Sequence, residues 1–380
     1  MKILQIGKFY YPHLGGIETV VKTLSEGLIK KGGYAVNVLC ASSRNKLESI
    51  VEHNVPINGV TISRAWSMGL LFSQPITPML PFHILRLSKQ ADILHMHSPN
   101  PLAEAALALL PLRKPIVVTY HSDVIRQRLL LPAYLPVLRM FLRKVRKIIV
   151  ATPYHIEFSA VLHDFQEKCK IIPFGIEQQP FEYTPEVAEL SEDIRRQYGD
   201  FILYLGRMVG YKGLDVLINA LNKTKSIRAV LIGEGPLRAD LEQRVKDDGL
   251  ADRIHFLGEI HDHKKVVSHI YASRLVVLPS VTKNEAFGMA VVEAMACGKP
   301  IISTRVDSGF RFVNEDGITG LQVEPGDSEA LSHAIEKMMT DKPLLKKMGT
   351  AARERFNNFF SAEKMVQAHE NVYRETLAGR

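Results

Sequence analysis

The sequence predicts an α/β chain built from two doubly wound parallel sheets, and three observations carry that prediction. Short, wholly apolar runs such as Phe201–Leu205, Ala229–Ile232 and Leu275–Leu278 each stop at glycine, proline or a polar cluster, as strands buried on both faces do. Segments with apolar residues at helical spacing separate those runs, so the connections are crossovers and the strands parallel. A chain of 380 residues, 46% hydrophobic and 23% charged, is long enough for two separate cores. The stretch from Pro173-Phe-Gly-Ile-Glu177 to Glu182-Tyr-Thr-Pro185 has the Pro/Gly and polar content of a boundary, which places the switch near residues 172–185.

In the first half, Lys2-Ile-Leu-Gln-Ile6 is a buried strand, residues 7–16 are a loop, and Ile17-Glu18-Thr19 opens a helix reaching about Lys31. Gly15 and Gly16 have no side chains, so a ligand can approach the backbone closely. A Gly-x-Gly-x-x-Gly is missing, which removes the dehydrogenase version of such a loop. Strands follow at Tyr34–Leu39, irregularly over Pro56–Arg64, and at Asp92–His97, Ile116–Tyr120 and Lys147–Ala151. Just beyond the carboxyl ends stand Ser98-Pro-Asn-Pro101, His121-Ser-Asp123 and Thr152-Pro153, where open α/β sheets bind ligands. His95 and His97 lie two apart on one strand face, but no third ligand stands near, so metal is not expected there.

In the second half, Phe201–Leu205 runs into Gly206-Arg207, and Tyr211-Lys212-Gly213 precedes the next helix. Ala229–Ile232 ends in the turn Gly233-Glu-Gly235-Pro236, and Arg253–Gly258 is a further strand. Leu275–Leu278 stops at Pro279. Helices are expected over 328–339, 343–357 and 361–378.

The chemistry centres on residues 280–300, where Glu285 and Glu293 stand eight positions apart with Phe287-Gly288 between them. With Glu285 at a helix start and Glu293 two turns in, the carboxylates are about 12 Å apart at ~1.5 Å per residue. Glycosidase pairs need about 5–9.5 Å. The longer span suits two hydroxyl-rich ends of one ligand, with an anion between them at the helix N-terminus. A departing diphosphate needs positive charge. Arg207 offers a bidentate fork and Lys212 a compact one, and the absence of Asp-x-Asp leaves no obvious metal site to do so.

Glu-x7-Glu with an internal Phe-Gly, flanked by Pro279-Ser280 and Ala294-Met-Ala-Cys-Gly-Lys-Pro300, resembles glycosyltransferase family 4. Gly206-Arg207 with Lys212-Gly213 resembles that family's Gly-Arg…Lys-Gly motif. The resemblance covers nearly the whole chain, closely over 200–330 and loosely over 1–170. It implies the GT-B fold: two Rossmann-like doubly wound domains facing across a cleft. Residues 1–175 are then the acceptor-side domain, 176–360 the nucleotide-sugar domain, and 361–380 a helix crossing back to the first. It implies that Glu285 and the amides beside Phe287, Gly288 and Met289 hold the donor sugar, and that Glu293 binds the ribose. Gly15 and Gly16 would border the donor phosphate, Gly206 and Gly235 the nucleotide, and the main chain of Ile260 the base. His121 would contact the sugar near its reacting carbon, with Arg207 and Lys212 on the diphosphate. One departure bears on donor specificity: Ser308 and Phe312 stand where the family has glycine and then glutamate.

The expected activity is retaining, metal-independent transfer of a hexose, mannose favoured, from a nucleotide-diphosphate sugar, with no cofactor. The acceptor is a saccharide or lipid-linked saccharide in cell-surface polysaccharide assembly. Two rival readings are a nucleotide-sugar epimerase or phosphorylase on the same fold, and a non-catalytic carbohydrate- or lipid-binding subunit. The intact charged set argues against the subunit.

The net charge of +8 belongs to the first half: residues 1–180 hold 21 Lys/Arg against 11 Asp/Glu, the remainder 27 against 29. Residues 124–147 interleave Arg126, Arg128, Arg139, Arg143, Lys144, Arg146 and Lys147 with leucines, a basic amphipathic stretch suited to an anionic membrane surface. Leu70-Leu-Phe72 and Pro78–Phe82 add apolar contacts. No nucleic-acid signature accompanies it, so nucleic acid is not an expected partner. Three scattered cysteines, no signal peptide and no run of ~20 apolar residues point to a cytoplasmic protein, peripheral at the inner membrane face.

Overall fold

The apolar runs become strands that are buried along their length, and the glycine, proline and polar clusters become the loops at their carboxyl ends. The computed structural model describes residues 1–13, 15–42, 55–71, 74–123 and 131–379. The chain divides into two units, Met1–Gly175 with Ala362–Arg380, and Ile176–Ser361.

The first unit contains β1 (Lys2–Ile6), α1 (Gly16–Lys31), β2 (Ala35–Ala41), β3 (Val55–Ile57), β4 (Val60–Ala65), β5 (Leu70–Leu71), β6 (Gln74–Pro75), α2 (Leu80–Ser88), β7 (Ile93–Ser98), α3 (Pro101–Leu109), β8 (Ile116–Tyr120), α4 (Leu131–Lys144), β9 (Lys147–Val150), α5 (Pro153–Glu157) and β10 (Cys169–Ile171). Its sheet runs β10-β9-β8-β7-β1-β2-β4-β3, parallel throughout except for β3 against β4. The chain winds outward from β1 through β2, then restarts at β7 on the other side of β1. That reversal makes a switch point between β1 and β7. Asn100 caps α3 by accepting from the Ala103 amide, with Pro101 at the first helical position.

The second unit contains α6 (Pro185–Tyr198), β11 (Phe201–Leu205), α7 (Leu214–Lys223), β12 (Arg228–Ile232), α8 (Arg238–Asp247), β13 (Ile254–Gly258), α9 (His263–Ala272), β14 (Leu275–Leu278), α10 (Met289–Ala296), β15 (Ile301–Thr304), α11 (Phe310–Val313), β16 (Gly320–Val323), α12 (Ser328–Thr340) and α13 (Lys342–Arg355). Its sheet, β13-β12-β11-β14-β15-β16, is wholly parallel, with its switch point between β11 and β14. The doubly wound α/β class predicted from the sequence is thus the fold observed. The last helix, α14 (Ala362–Ala378), belongs to the first unit and packs on α1. There Val366 fills the space at Gly27, and Glu370 pairs with Lys31 and Tyr34.

One expectation changes. The apolar side of α4 is not available to a lipid surface, because Leu138, Phe141 and Leu142 are buried in the core of the first unit. Arg126, Arg128 and the rest of 124–130 lie outside the described residues, as does Phe72. Between residues 68 and 82, by contrast, Met68, Leu70, Leu71, Ile76, Met79 and Phe82 are exposed. Among the described residues, no helix is long and apolar enough to cross a membrane.

Candidate active site

The switch point of the second sheet assembles the charged residues. The loop after β11 carries Gly206, Arg207 and Lys212, and the loop after β14 carries Ser280 and Glu285. Val281 N–H donates to the Tyr211 carbonyl at 2.8 Å and ties the two loops together. Gly213 makes the approach close: its φ is +67°, and a Cβ there would run into the Pro279 carbonyl oxygen. Lys212 Nζ then reaches Glu285 Oε2 at 2.5 Å, with both side chains about nine-tenths buried at 11% and 8% exposure.

Three hydroxyls fix Glu285. Ser280 Oγ donates to Oε2 at 2.9 Å, and Ser308 Oγ donates to the Glu285 carbonyl at 2.5 Å. Thr304 in turn donates to the Ser280 carbonyl at 2.5 Å. Both partners of the carboxylate use Oε2, which leaves Oε1 to accept from a ligand hydroxyl. Ser308, a departure from the family pattern, therefore supports the glutamate loop. Ser280 and Thr304 have no separate signal in the sequence, apart from Ser280's place in the Pro-Ser flank.

The expected helical relation between the two glutamates does not hold. Gly288 has φ +81° and caps a helix that begins at Met289, so Glu285 lies in the preceding loop and eight residues do not measure two turns. Glu293 sits in the second turn of α10, half-buried. Burial pushes its carboxyl up to about 7, with the Lys212 charge opposing that rise. Lys212 thus interacts with both carboxylates. In the first turn of α10 the Val291 N–H donates to the Gly288 carbonyl at 2.9 Å, and those of Met289 and Ala290 have no acceptor within the helix. Phe287 turns its ring inward against Phe360, and the Phe310 ring occupies the space beside Gly288. Any ligand contact from these two positions is therefore through the backbone.

Arg207 is exposed and makes no ion pair with any described residue. Its carbonyl accepts from the Tyr204 hydroxyl at 2.9 Å, which orients the loop. Lys212 lies close over Gly206: a Cβ on that glycine would be 3.6 Å from Nζ. Gly235 packs against Met208, and Met208 N–H donates to the Glu234 carbonyl at 2.8 Å, so the loops after β11 and β12 are laced together. Ile260 lies two residues past β13 at the sheet edge, half-buried; among the described residues nothing joins it to the Lys212–Glu285 pair.

His121, Gly15 and Gly16 belong to the first unit. Gly15 caps α1 with Glu18 folded over it, and nothing lies within 4 Å of a Cβ built on Gly16. His121 follows β8, is 4% exposed, and lies between the His97 and Phe174 rings, with centroids 5.3 and 4.8 Å away. Burial holds its imidazole well below the usual range, with His97 adding to the effect. Among the described residues, no three His, Cys, Asp or Glu side chains are grouped so as to hold a metal ion. Burial pushes the Cys40, Cys169 and Cys297 thiols up to about 12, 11 and 12, away from reactivity.

The model described as Glycosyl transferases group 1 matches residues 190–355, and that described as Glycosyltransferase Family 4 matches residues 14–179. Over 385 residues the sequence is 30% identical to the O-antigen chain mannosyltransferase C of Escherichia coli, with all of both chains covered. It is 33% identical to the D-rhamnosyltransferase WbpZ of Pseudomonas aeruginosa, over 95% of this chain and 93% of that one. Anabaena Alr3699/HepE in complex with UDP shares the fold, with a TM-score of 0.80 at 20% identity, covering 99% of this chain and 100% of that one.

Proposed function

The chain belongs to the group 1 glycosyl transferases of glycosyltransferase family 4, with the GT-B fold, and we propose that it transfers a hexose, mannose first, from a nucleotide-diphosphate sugar with retention and without a metal. The observation that carries this reading is the buried Lys212–Glu285 pair at a sheet switch point, with Arg207 exposed on the same loop as Lys212. A fixed ammonium and an adjacent fork stabilise a pyrophosphate as its bond to the sugar breaks. Glu285 Oε1 and the α10 amides grip the sugar, Glu293 takes the ribose hydroxyls, and His121 contacts the sugar. Glu285 is already engaged by Lys212 and Ser280, which fits a binding role better than that of a nucleophile. The departing phosphate oxygen then accepts the acceptor's proton.

The acceptor is a saccharide or lipid-linked saccharide of a surface polysaccharide, a reading supported by the O-antigen chain in the name of the Escherichia coli relative. The exposed apolar side chains between Met68 and Phe82 favour a lipid-linked one at the inner membrane face. Their neighbourhood has no carboxylate between Glu52 and Asp92, while Arg64, Arg86 and Lys89 lie within it, which suits anionic lipid. Equal flotation with neutral and anionic vesicles, or none with either, removes that part.

The decisive experiment is a transfer assay with labelled guanosine-diphosphate mannose and other nucleotide sugars. Glu285→Gln and Arg207→Ala should each lower turnover about a hundredfold or more with melting behaviour kept. Near-normal turnover in both overturns the site.

A further inference from the structure

The first unit buries a continuous chain of polar side chains, of which only His121 has a part in the proposed transfer. Gln5 on β1, His95 and His97 on β7, Thr119 on β8, His121, and Tyr373 on α14 are each 4% exposed or less. Tyr373 Oη lies 2.5 Å from His95 Nδ1, and His95 Nε2 lies 2.8 Å from Thr119 Oγ1. Gln5 Nε2 is 3.4 Å from Tyr373 Oη, and Gln5 Oε1 is 2.8 Å from His97 Nε2. His97 Nδ1 closes the chain at 3.0 Å from His121 Nε2.

A neutral imidazole has one donor and one acceptor, so a chain of neutral rings has a direction, and one end sets it. The rings are neutral: burial depresses His95, His97 and His121, His97 to about 3. Tyr373 is the end that sets the direction. Its 2.5 Å approach to His95 has the shortness of an O–H donor, whereas 3.4 Å to Gln5 is a long N–H···O contact. The phenol therefore donates to His95, which donates from Nε2 to Thr119. With its hydrogen engaged, the phenol accepts from the Gln5 amide. That turns the Gln5 carbonyl toward His97, whose Nε2 must carry the hydrogen. His97 Nδ1 then accepts, and His121 donates from Nε2. His121 Nδ1 is left bare, with no partner among the described residues. The residue itself is held in place by the Phe174 ring and by His155 Nε2, which donates to the His121 carbonyl at 3.2 Å.

We propose that Tyr373 and Gln5 are positioning residues that lock His121 in the Nε2–H tautomer, so that it meets the donor sugar as a hydrogen-bond acceptor at Nδ1. The ligand group it selects is a sugar hydroxyl able to donate; a deoxy or O-methyl sugar lacks that hydrogen. This rests on the reading that His121 contacts the sugar.

The test uses the full-length chain with 15N-labelled histidine. Two-bond proton–nitrogen correlation reports the tautomer of each ring without reference to activity. The native protein should show His121 protonated at Nε2. In Tyr373→Phe, isosteric but without the donor, His121 should become a mixture of tautomers. The turnover number should then fall about tenfold, the scale of one lost hydrogen bond, with the acceptor KM unchanged. Gln5→Glu, which can only accept from His97, should keep the native tautomer, whereas Gln5→Leu should lose it. A hydrogen on His121 Nδ1 in the native protein overturns the lock, as does an unchanged tautomer in both Tyr373→Phe and Gln5→Leu. Undiminished turnover in His121→Ala instead overturns the sugar contact, and with it the reason for a lock.

Discussion

Replacing Glu293 with glutamine should stabilise the protein while impairing the enzyme, and the gain should depend on pH. Burial lifts this carboxyl from 4.5 to about 7 in the folded chain. As pH rises through that window, the unfolded chain has already lost the proton that the folded chain still holds. The folded state binds more protons there, so stability falls with rising pH, and the loss is complete above about 7. A displacement of that size corresponds to about 3 kcal/mol, and partial exposure reduces it to roughly 1–3 kcal/mol. Glutamine has no such titration. Glu293→Gln should therefore raise the free energy of unfolding by roughly that amount at pH 8 and by little at pH 4.5. In melting temperature this is about 2–4 °C per kcal/mol for a unit of this size. Urea and thermal melts of both proteins at the two pH values are the assay. Turnover should fall, because a neutral amide accepts ribose hydroxyls more weakly than a carboxylate. A gain equal at both pH values, or none at pH 8, refutes the reasoning.

Lys212→Ala should cost about 3–5 kcal/mol in urea melts, because it strands the Glu285 carboxylate in a buried site; adding Glu285→Gln should recover much of the loss. Gly213→Ala should cost at least roughly 1–3 kcal/mol, since its φ is +67° and its Cβ meets the Pro279 carbonyl; turnover should fall with it as the Glu285 loop shifts. Acid should weaken the first unit early. His97, His155 and His369 are held by burial at about 3, 4 and 4 against 6.5 unfolded. Their contribution is full above pH 6.5 and is lost as pH falls toward those values. The midpoint of urea unfolding should therefore be lower at pH 5 than at pH 7.5, and a flat profile would count against neutral buried rings.

The fold was legible because a parallel sheet writes itself as apolar runs ended by glycine or proline: Phe201–Leu205 before Gly206 and Leu275–Leu278 before Pro279 both read correctly. The relation between Glu285 and Glu293 did not, because helical spacing was extended across Gly288, whose positive φ delays the helix to Met289. The α4 stretch misled for another reason. Periodicity reveals an apolar face but not what covers it, and here Leu138, Phe141 and Leu142 face the core. The histidine chain was invisible because Gln5 and Tyr373, which orient it, are separated by almost the whole sequence.

The return of the final helix to the first unit has a consequence for synthesis. A ribosome releases residues 1–175 long before α14 exists, so the early half waits with its α1 face and the His95 side of its sheet uncovered. The second unit, continuous in sequence, has all its strands before that wait ends. A stop codon placed just before α14 would thus spare the later-made half and cripple the one made first.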